Sequence, residues 1–309
     1  MRSAVSRDLE LAEAYQRARP RLVRVAYAVL GSVVEAEDVV SDVWLRLVPA
    51  DAREPVQDLD AWATVAVARR ALDVLRSARV QRQAYVGPWL PEPLLDPPPS
   101  SATADPADRV SLDDTVSFAL LVVLERLSPA ERTAFVLHDL FAVPFDEVAV
   151  VVGRSPAAVR QLAARARQHV SAGAPRVKVD RGQHAATVAA FTQAAVSGDL
   201  AALLLVLDPD VTLTSDGGGH VSAARRPVHG ADRVARFLLG MASRNAPGQR
   251  LVPLSVNNGP ALALLDGDQV VAVAVLTLHD GRIRRVDLIL APDKLTRTHP
   301  GADTKQELP

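Results

Sequence analysis

The chain has 309 residues, a net charge of −1, and 49% apolar against 23% charged residues, which suits two or three folded domains with real cores. It contains no cysteine, which excludes disulfide scaffolds, thiolate zinc sites and cysteine nucleophiles. No apolar run approaches the ~18 residues of a membrane helix. The charged segment Met1–Glu10 is unlike a secretory signal, so we expect a cytoplasmic protein.

Charge is distributed unevenly along the chain. The stretch from Arg69 to Arg82 holds five arginines and one acid, and the stretch from Arg154 to Lys178 holds six basic residues and no acid. Between them, Gly87–Ser117 holds six acids and one arginine. Two short basic segments indicate two separate anion-binding surfaces, although a basic run is also typical of an ordinary solvated helix face.

The first segment, up to about Arg82, is predicted to be entirely helical. Ser32 and Glu35 form a capping box, and apolar residues then recur at three- and four-residue spacing from Ala36 to Leu47. This pattern predicts one buried stripe and an acidic outer face, which could be a protein-docking surface or simply a solvated one. The outer face carries Glu37, Asp38, Ser41, Asp42 and Arg46.

A second long helix is predicted from about Asp60, after a loop that Pro49 and Pro55 are expected to bracket. Three of its arginines fall on one face at 100° per residue and could meet a phosphate backbone. These three are Arg69, Arg76 and Arg79.

A proline-rich linker follows. Pro88–Pro106 holds seven prolines in nineteen residues, a density that excludes regular structure. Its beginning, residues 87–95, is too apolar for a free tether. Trp89 and Leu90 are therefore expected to pack against a surface.

The second helical segment, about Ser111–Ser171, has the helix start and stop signals of a helix-turn-helix. Ser128 and Glu131 form a capping box around a proline at the first helical position. A short helix over Phe145–Val152 is predicted to end at Gly153, directly before a second Ser-Pro helix start. A short helix, a tight turn and a longer basic helix are the pattern of this DNA-binding motif.

The longer helix has a face suited to the major groove of DNA. Small residues admit the helix to the groove, arginine pairs with guanine and glutamine with adenine. Arg154 and Ser155 stand at the positive end of the helix, where a phosphate binds. A helical hairpin that merely exposes arginine is the alternative. The outward residues are Ala157, Arg160, Gln161, Ala164, Arg165 and Gln168.

The third segment, about Gln183–Leu295, combines helices and strands and predicts an α+β domain. The predicted helices cover residues 184–197, 200–207 and 231–243. The predicted strands cover residues 211–215, 250–256, 269–278 and 282–290, with a glycine turn at 216–219. Residues 298–309 are expected to be a disordered tail.

Several of these segments resemble one known family. Ala36–Val40 with Trp44-Leu45-Arg46 resembles the polymerase-docking helix of region two in extracytoplasmic-function (ECF) sigma factors, and Asp60–Arg79 resembles the promoter-melting helix after it. Leu124–Arg132 and the helix-turn-helix resemble region four. The motif at 89–93 resembles the sigma-J-like subgroup, which carries a SnoaL-type extension, and residues 216–219 and 292–295 resemble the two marker motifs of that extension.

The resemblance implies two all-α sigma modules and a C-terminal α+β, SnoaL-like, cone-shaped domain. Region two would span residues 1–86, the linker 87–110, region four 111–178 and the extension 181–297. Region four would bind the −35 element through Arg154, Ser155, Ala157, Arg160, Gln161 and Arg165. Region two would bind the −10 element through Trp62, Arg69, Arg70, Arg76 and Arg79, and core polymerase through Glu37, Asp38, Ser41, Asp42, Leu45 and Arg46.

The extension would regulate the sigma modules in cis, held by motif residues of the linker and of its own turns. These are Trp89, Leu90, Pro91, Glu92, Pro93, Asp216, Gly217, Gly218, Gly219, Asp293, Lys294 and Leu295. The implied partners are core RNA polymerase and promoter DNA, with no membrane, cofactor or metal and no separate anti-sigma factor required. Two residues depart from the subgroup pattern: His220 stands where lysine is usual, and Ala291 where asparagine is usual.

The alternative to a sigma factor is an isomerase- or cyclase-like enzyme fused to a DNA-binding module. SnoaL-type cones enclose an apolar pocket, and a buried acid or histidine in such a pocket can act as a base. A ligand-sensing role of that pocket is the third hypothesis, and we expect no catalysis. The candidate bases are Asp216, His220, His229, Asp287 and Asp293.

Overall fold

The computed structural model describes residues 2–82, 84–96, 116–173, 181–244 and 246–296. The chain forms two compact units. The first holds the helices up to residue 82 together with those from residue 120 to 173, and the second holds the linker segment 84–96 and the C-terminal domain. The predicted tail 298–309 and linker residues 97–110 lie outside the described residues.

The first three helices form the region-two part of the first unit, and α1 packs against both others. Ser32 caps α2 by accepting a hydrogen bond from the Glu35 amide at 3.4 Å, as the capping pattern predicted. In the predicted stripe of α2 the aliphatic residues from Ala36 to Leu47 are buried and Trp44 is half-buried. The helices are α1 (Arg2–Leu30), α2 (Val33–Arg53) and α3 (Leu59–Arg82).

The predicted loop after Pro49 was wrong, because α2 continues through Pro49 to Arg53. A proline inside a helix removes one N–H donor, a loss that contacts elsewhere can offset. Here the Asp51 carboxylate accepts hydrogen bonds from the Arg7 guanidinium at 2.7 and 3.0 Å and from the Val56 amide at 2.9 Å. These bonds hold the last turn of α2, so the connection to α3 is only residues 54–58.

The region-four helices begin and end at the residues that the capping signals predicted. The capping box at Ser128 and Glu131 is present in both directions. Gly153 ends the short helix in the left-handed conformation at φ 72°, which a side chain would strain. The elements are α4 (Phe118–Leu124), α5 (Pro129–Phe135), a π-helical turn (Val136–Leu140), α6 (Phe145–Val152) and α7 (Pro156–Gly173).

The C-terminal domain packs helices on one face of a mixed sheet, as an α+β fold. The sheet has the order β2-β1-β6-β5-β4-β3, in which β1 and β6 are parallel and the other neighbours antiparallel. The helices are α8 (Arg181–Ser197), α9 (Leu200–Val206) and α10 (Ala231–Ala242). The strands are β1 (Leu207–Asp216), β2 (Val228–His229), β3 (Arg250–Val256), β4 (Gly259–Asp266), β5 (Gln269–His279) and β6 (Arg282–Ile289).

The core of this domain lies between the sheet and the helices. Leu276 and Val286 of the sheet pack in one buried cluster with Phe191 of α8 and Val234 of α10. A short 3-10 helix, Pro292–Lys294, follows β6. In the part of the chain that the structure describes, no helix is both long and apolar enough to cross a membrane.

Candidate DNA-binding surfaces and the linker clasp

Helix α7 presents the face that its sequence predicted. The inward residues Val159, Leu162, Ala163 and Ala166 are buried. The outward set is exposed along the whole helix and consists of Ala157, Arg160, Gln161, Ala164, Arg165 and Gln168. Helix α7 therefore offers a polar, small-residue face of the kind that enters a major groove.

The start of α7 combines a capped helix N-terminus with an exposed arginine. The Ser155 hydroxyl accepts a hydrogen bond from the Ala158 amide at 3.3 Å, and Arg154 beside it is exposed. The Arg154 amide donates to the Ala149 carbonyl at 3.1 Å, which fixes the turn. An exposed arginine at the positive end of a helix is a favourable anion contact.

The three arginines of α7 all have partners on the protein, and two of these contacts lie at its outward face. Arg165 donates to the Glu131 carboxylate at 2.9 Å, and the Arg160 guanidinium lies 5.2 Å from the centre of the Phe145 ring. Partial burial raises the pKa of Glu131, but hydrogen bonds from Ser128 and Arg165 outweigh it and leave that pKa below its ordinary value. These contacts orient the arginines at the helix surface, where both remain exposed.

Helix α3 carries the predicted −10 residues, but not as a free surface. Trp62, Arg69 and Arg70 line an open cavity of about 470 Å³ together with Arg46 of α2 and Glu147 of α6. The Arg70 guanidinium lies 3.0 Å from the Asp42 carboxylate. Region-two and region-four side chains thus share one cavity within the first unit.

Other arginines of α3 also contact the chain itself. Arg69 donates to the Val150 carbonyl and Arg79 to the Leu127 carbonyl, both at 3.4 Å, and both acceptors belong to region four. Arg76 pairs with Asp73 on its own helix at 3.5 Å. The predicted DNA contacts of α3 are therefore partly occupied by region four.

The outer face of α2 is exposed as predicted. Leu45 is 71% exposed on this otherwise polar face, and Asp38, Ser41 and Arg46 are exposed around it. Glu37 and Asp42 are half-buried. Beneath α2, the Tyr15 hydroxyl donates to the Val40 carbonyl at 2.6 Å, and burial raises the pKa of Tyr15 to about 12.

An arginine–glutamate cluster joins region four to region two, and sequence reasoning missed it. We call Arg82, Glu125 and Arg132 the Arg–Glu–Arg cluster. Arg82 donates to Glu125 at 2.7 Å and to the Leu30 carbonyl at 3.0 Å, while the buried Arg132 pairs with the other Glu125 oxygen. Burial lowers the pKa of Arg82. No sequence signal links Glu125 to a residue 43 positions earlier.

Asp216 is the centre of a second network, inside the C-terminal unit. Its carboxylate is fully buried and accepts hydrogen bonds from the Tyr85 hydroxyl at 2.6 Å and the Leu90 amide at 2.8 Å. The Lys294 ammonium lies 2.7 Å from the same carboxylate. We call Tyr85, Trp89, Leu90, Asp216 and Lys294 the linker clasp.

Lys294 ties the clasp to the linker a second time. Its ammonium donates to the Leu90 carbonyl at 2.6 Å and lies 4.1 Å from the centre of the Trp89 ring. A buried cation held by a carboxylate, a carbonyl and an indole face is well compensated. The three motifs singled out in the sequence, at 89–93, 216–219 and 292–295, therefore meet at one point.

The glycine turn beside the clasp needs its glycines. A Cβ on Gly217 would lie 2.2 Å from the Val221 carbonyl oxygen, and Gly218 has φ 67° and donates its amide to Asp216 at 3.0 Å. Gly219 also has a positive φ, of 78°. The turn ends in His220, which is exposed.

The remaining linker residues dock in different ways. Leu90 is 2% and Glu92 3% exposed, and Pro91 and Pro93 are also buried. Leu95 forms a bridge with Val256, and the Asp96 amide donates to the Ser255 carbonyl at 3.0 Å. Leu295 is buried and Asp293 exposed.

Sequence reasoning missed three residues that hold the linker: Tyr85, Ser255 and Asn257. The Asn257 side chain accepts a hydrogen bond from the Leu94 amide at 3.1 Å. Only Tyr85, next to the linker motif, could have been suspected from its position. Ser255 lies in β3 and Asn257 in the turn after it, both far along the chain.

The candidate bases do not converge on a pocket. Asp287 pairs with Arg285 at 2.6 Å. Its neighbour Leu288 lines the cavity under the helices. Because side chains alternate along a strand, Asp287 lies on the opposite face of the sheet. Asp216 is held in the clasp, and His229 is exposed with its ring 3.1 Å from the Thr212 hydroxyl.

Comparisons with known proteins agree with this architecture. Residues 14–80 match the model of Sigma-70 region 2, and residues 117–170 match that of Sigma-70, region 4. The chain is 41% identical over 298 residues to the ECF RNA polymerase sigma factor SigJ of Mycobacterium tuberculosis, covering 93% of this chain and 94% of that protein. It is 36% identical over 288 residues to the probable ECF RNA polymerase sigma factor SigI of that organism, covering 91% and 93%.

The crystal structure of Mycobacterium tuberculosis SigJ matches with a TM-score of 0.71 at 37% identity, over 92% of this chain and 98% of that one. Helical region-two and region-four modules followed by an α+β domain define a sigma factor of the sigma-70 type with a C-terminal extension. The chain belongs to the ECF RNA polymerase sigma factors. It is an alternative sigma factor that directs transcription initiation, which confirms the resemblance seen in the sequence.

Proposed function

We propose that helices α2, α3 and α7 make the polymerase and promoter contacts of this sigma factor. Residues Glu37, Asp38, Ser41, Asp42, Leu45 and Arg46 of α2 dock on core RNA polymerase. Helix α3 reads the −10 element and α7 the −35 element. The observation that carries this assignment is the division of α7 into a buried apolar stripe and an exposed face of alanine, arginine and glutamine.

The free chain binds promoter DNA weakly. Arg69 and Arg79 each donate to a region-four carbonyl, so both side chains are tethered to region four while it stays packed on α3. Polymerase separates the two modules, and the two weak DNA contacts then add through effective concentration. Because the closed first unit is itself inactive, no separate anti-sigma factor is required.

The C-terminal domain regulates these modules in cis through the linker clasp. The linker is the chain between region two and region four, so a domain that holds it limits how far the two can separate. Asp216 and Lys294 supply buried, charge-assisted hydrogen bonds to Leu90, which are the strong kind. The clasp therefore restrains initiation.

The C-terminal domain is not an enzyme. A general base needs reach to a bound substrate, and the candidate carboxylates are otherwise engaged. Asp287 pairs with Arg285 on the face opposite Leu288, and Asp216 is fastened to the linker. The exposed His220 and His229 lie in a turn and on an edge strand.

Run-off transcription with purified core RNA polymerase tests the proposal. The full chain is compared with a version ending at Gly173, on promoters that include the gene's own upstream region. We expect a transcript from both, absent with core alone, and a higher yield from the shortened chain. Failure of both versions to co-elute with core polymerase would contradict the assignment of α2.

A single substitution separates the clasp from the rest of the domain. Lys294→Met keeps an apolar stem near Trp89 and removes the cation, so we expect transcription at limiting protein to rise by up to about tenfold. The control is Arg284→Met, which breaks an exposed pair with Asp208 in the same domain. A yield unchanged by Lys294→Met, with the shortened chain still more active, would show that the restraint lies elsewhere.

A further inference from the structure

Region four contains a π-helical turn, Val136–Leu140, directly before the helix-turn-helix. The Phe141 amide donates to the Val136 carbonyl at 3.2 Å, and Ala142 then takes a left-handed conformation at φ 56°. Turns of this kind are rare and occur mostly at functional sites, and a strained backbone persists only where its surroundings hold it. The side chain that this turn presents to the motif is His138.

The His138 ring lies against the ring of Phe145, which is the first residue of α6. The two ring centres are 3.6 Å apart, and the ring planes differ by 25°. His138 Nδ1 donates to the Val143 carbonyl at 3.0 Å, because a carbonyl oxygen can only accept. This hydrogen bond fixes the plane of the imidazole, so His138 holds the Phe145 ring in one orientation.

Phe145 in turn contacts Arg160 on the outward face of α7. The guanidinium carbon lies 5.2 Å from the ring centre, which is the distance of a cation–π contact. Arg165 is held differently, by the Glu131 carboxylate at 2.9 Å. A carboxylate occupies N–H donors and compensates the positive charge, whereas an aromatic face attracts the cation without accepting its in-plane hydrogen bonds. The ring contact therefore leaves the in-plane donors of Arg160 available for the two acceptors of a guanine.

We propose that Phe145 and His138 are positioning residues for recognition of the −35 element, an assignment that rests on the proposed role of Arg160 as a base contact. The stack presents the guanidinium edge of Arg160 to a guanine in the major groove. An arginine side chain loses rotamer freedom when it binds a base, and a stack that orders it beforehand reduces that cost. Only the correct base forms the bidentate pair, so the benefit falls on that base and is measured as discrimination.

The alternative role of Phe145 is to fill the core of region four. Its ring also packs against the buried cluster that includes Val148 and Val159. A core role alone would weaken binding to every promoter by the same factor. The ratio of the dissociation constants for two promoters separates the two roles, because a uniform loss cancels in that ratio.

The experiment uses the holoenzyme, made from core RNA polymerase and the full chain, and measures its binding to its own promoter and to promoters with one base pair of the −35 element changed. Arg160→Ala identifies the base pair at which discrimination depends on Arg160. At that base pair we expect Phe145→Leu to reduce discrimination by about fivefold, and Phe145→Tyr, which keeps the ring, to retain it. Phe141→Leu is the matched control and should leave the ratio unchanged, because Phe141 packs against the same cluster but lies outside the stack.

His138→Gln tests the other half of the stack. It removes the imidazole but keeps an N–H donor for the Val143 carbonyl, and should reduce the same ratio by about threefold. Circular dichroism checks folding, and His138→Gln decides the question if Phe145→Leu does not fold.

Two kinds of failure are distinguishable. Unchanged discrimination in Phe145→Leu, or an equal loss in Phe141→Leu, would overturn the positioning role and leave Arg160 as a base contact. Unchanged discrimination in Arg160→Ala at every base pair would overturn the base-contact role of Arg160, and the positioning role with it.

Discussion

At the scale of single residues, two buried carboxylates hold chain segments in place by hydrogen bonds: the linker and the end of α2. Asp216 holds the linker, as described above. Asp51 holds the end of α2, where Pro49 interrupts the helix hydrogen bonds. The hydrogen bond from Arg7, the bond from the Val56 amide and the Arg7 charge together lower the pKa of Asp51 to about 2.

The lowered pKa of Asp51 gives a prediction about acid stability. A carboxylate whose folded pKa lies below its ordinary value of 3.8 adds stability above that value and loses it as pH falls towards 2. Asp51→Asn should therefore lower the thermal midpoint at pH 5, and the difference from the wild type should shrink as the pH approaches 2. Tryptophan fluorescence during heating measures both midpoints, since Trp44 lies in α2.

The control for this experiment is Asp38→Asn, an exposed carboxylate on the same helix. It should leave the midpoint nearly unchanged at every pH, because an exposed side chain without a firm partner contributes little to stability. A difference between Asp51→Asn and the wild type that stays constant from pH 5 to pH 2 would mean that the Arg7 pair is not the source of the stability.

At the scale of elements, α7 shows how a short turn can position a whole reading surface. Gly153 adopts a left-handed conformation that ends α6, and Ser155 caps the helix two residues later. This fixed turn sets the direction of α7 and therefore the side chains that meet the groove. Because the inward stripe is buried, the outward residues can change without unfolding the motif.

The prediction at this scale distinguishes base contacts from phosphate contacts. Arg160→Ala and Gln161→Ala should each weaken binding of the holoenzyme to its own promoter by about 1–3 kcal/mol, and relax sequence preference in the −35 element. Arg154→Ala should weaken binding about equally for all promoters and reduce its salt dependence. Gln16→Ala, exposed on α1 and away from the groove face, is the control and should change neither. Filter-binding titrations at several salt concentrations measure these effects, and a uniform loss in Arg160→Ala would contradict its role as a base contact.

The elements also show what sequence reasoning could reach. Helix α7 was predictable because capping residues and spacing are local signals. Strand β4 was missed, since Gly259 and Pro260 at its start suggest a loop. The available signal was Asn257-Asn258, both with positive φ of 50° and 60°, which suits the tight hairpin turn between two apolar runs. The linker clasp was predictable in its motif residues, but the contribution of Tyr85 depended on the tertiary structure.

At the scale of the first unit, the two DNA-reading modules share one core. Val25 of α1 and Leu72 of α3 belong to the same buried cluster as Val148 of α6 and Val159 of α7. The Arg–Glu–Arg cluster adds polar contacts across the same boundary. Removing one partner of a buried ion pair strongly destabilises the folded protein, because the other charge is left unpaired. The intact pair adds little to the free energy of unfolding, since burying two charges offsets their attraction. We therefore expect the cluster to fix which surfaces meet more than how tightly they bind.

The cluster makes an opening experiment possible in the free chain. Arg82→Ala removes the region-two donor while Glu125 keeps its pair with Arg132, so region four stays folded. Loss of hydrogen bonds to a charged group should shift the closed-to-open equilibrium by about tenfold. The chain has no cysteine, so Glu54→Cys and Ser171→Cys, both exposed, accept a fluorophore pair without background.

Energy transfer between the two fluorophores then reports the separation of region two and region four without polymerase or DNA. We expect lower transfer in Arg82→Ala than in the wild type, with Arg17→Ala, an exposed arginine of α1, as the unchanged control. The same variant should bind core polymerase faster, because the modules no longer need to be pulled apart first. Equal transfer in both variants would mean that the apolar core alone holds the unit closed. Lower transfer without faster binding would mean that polymerase captures the closed unit and opens it afterwards.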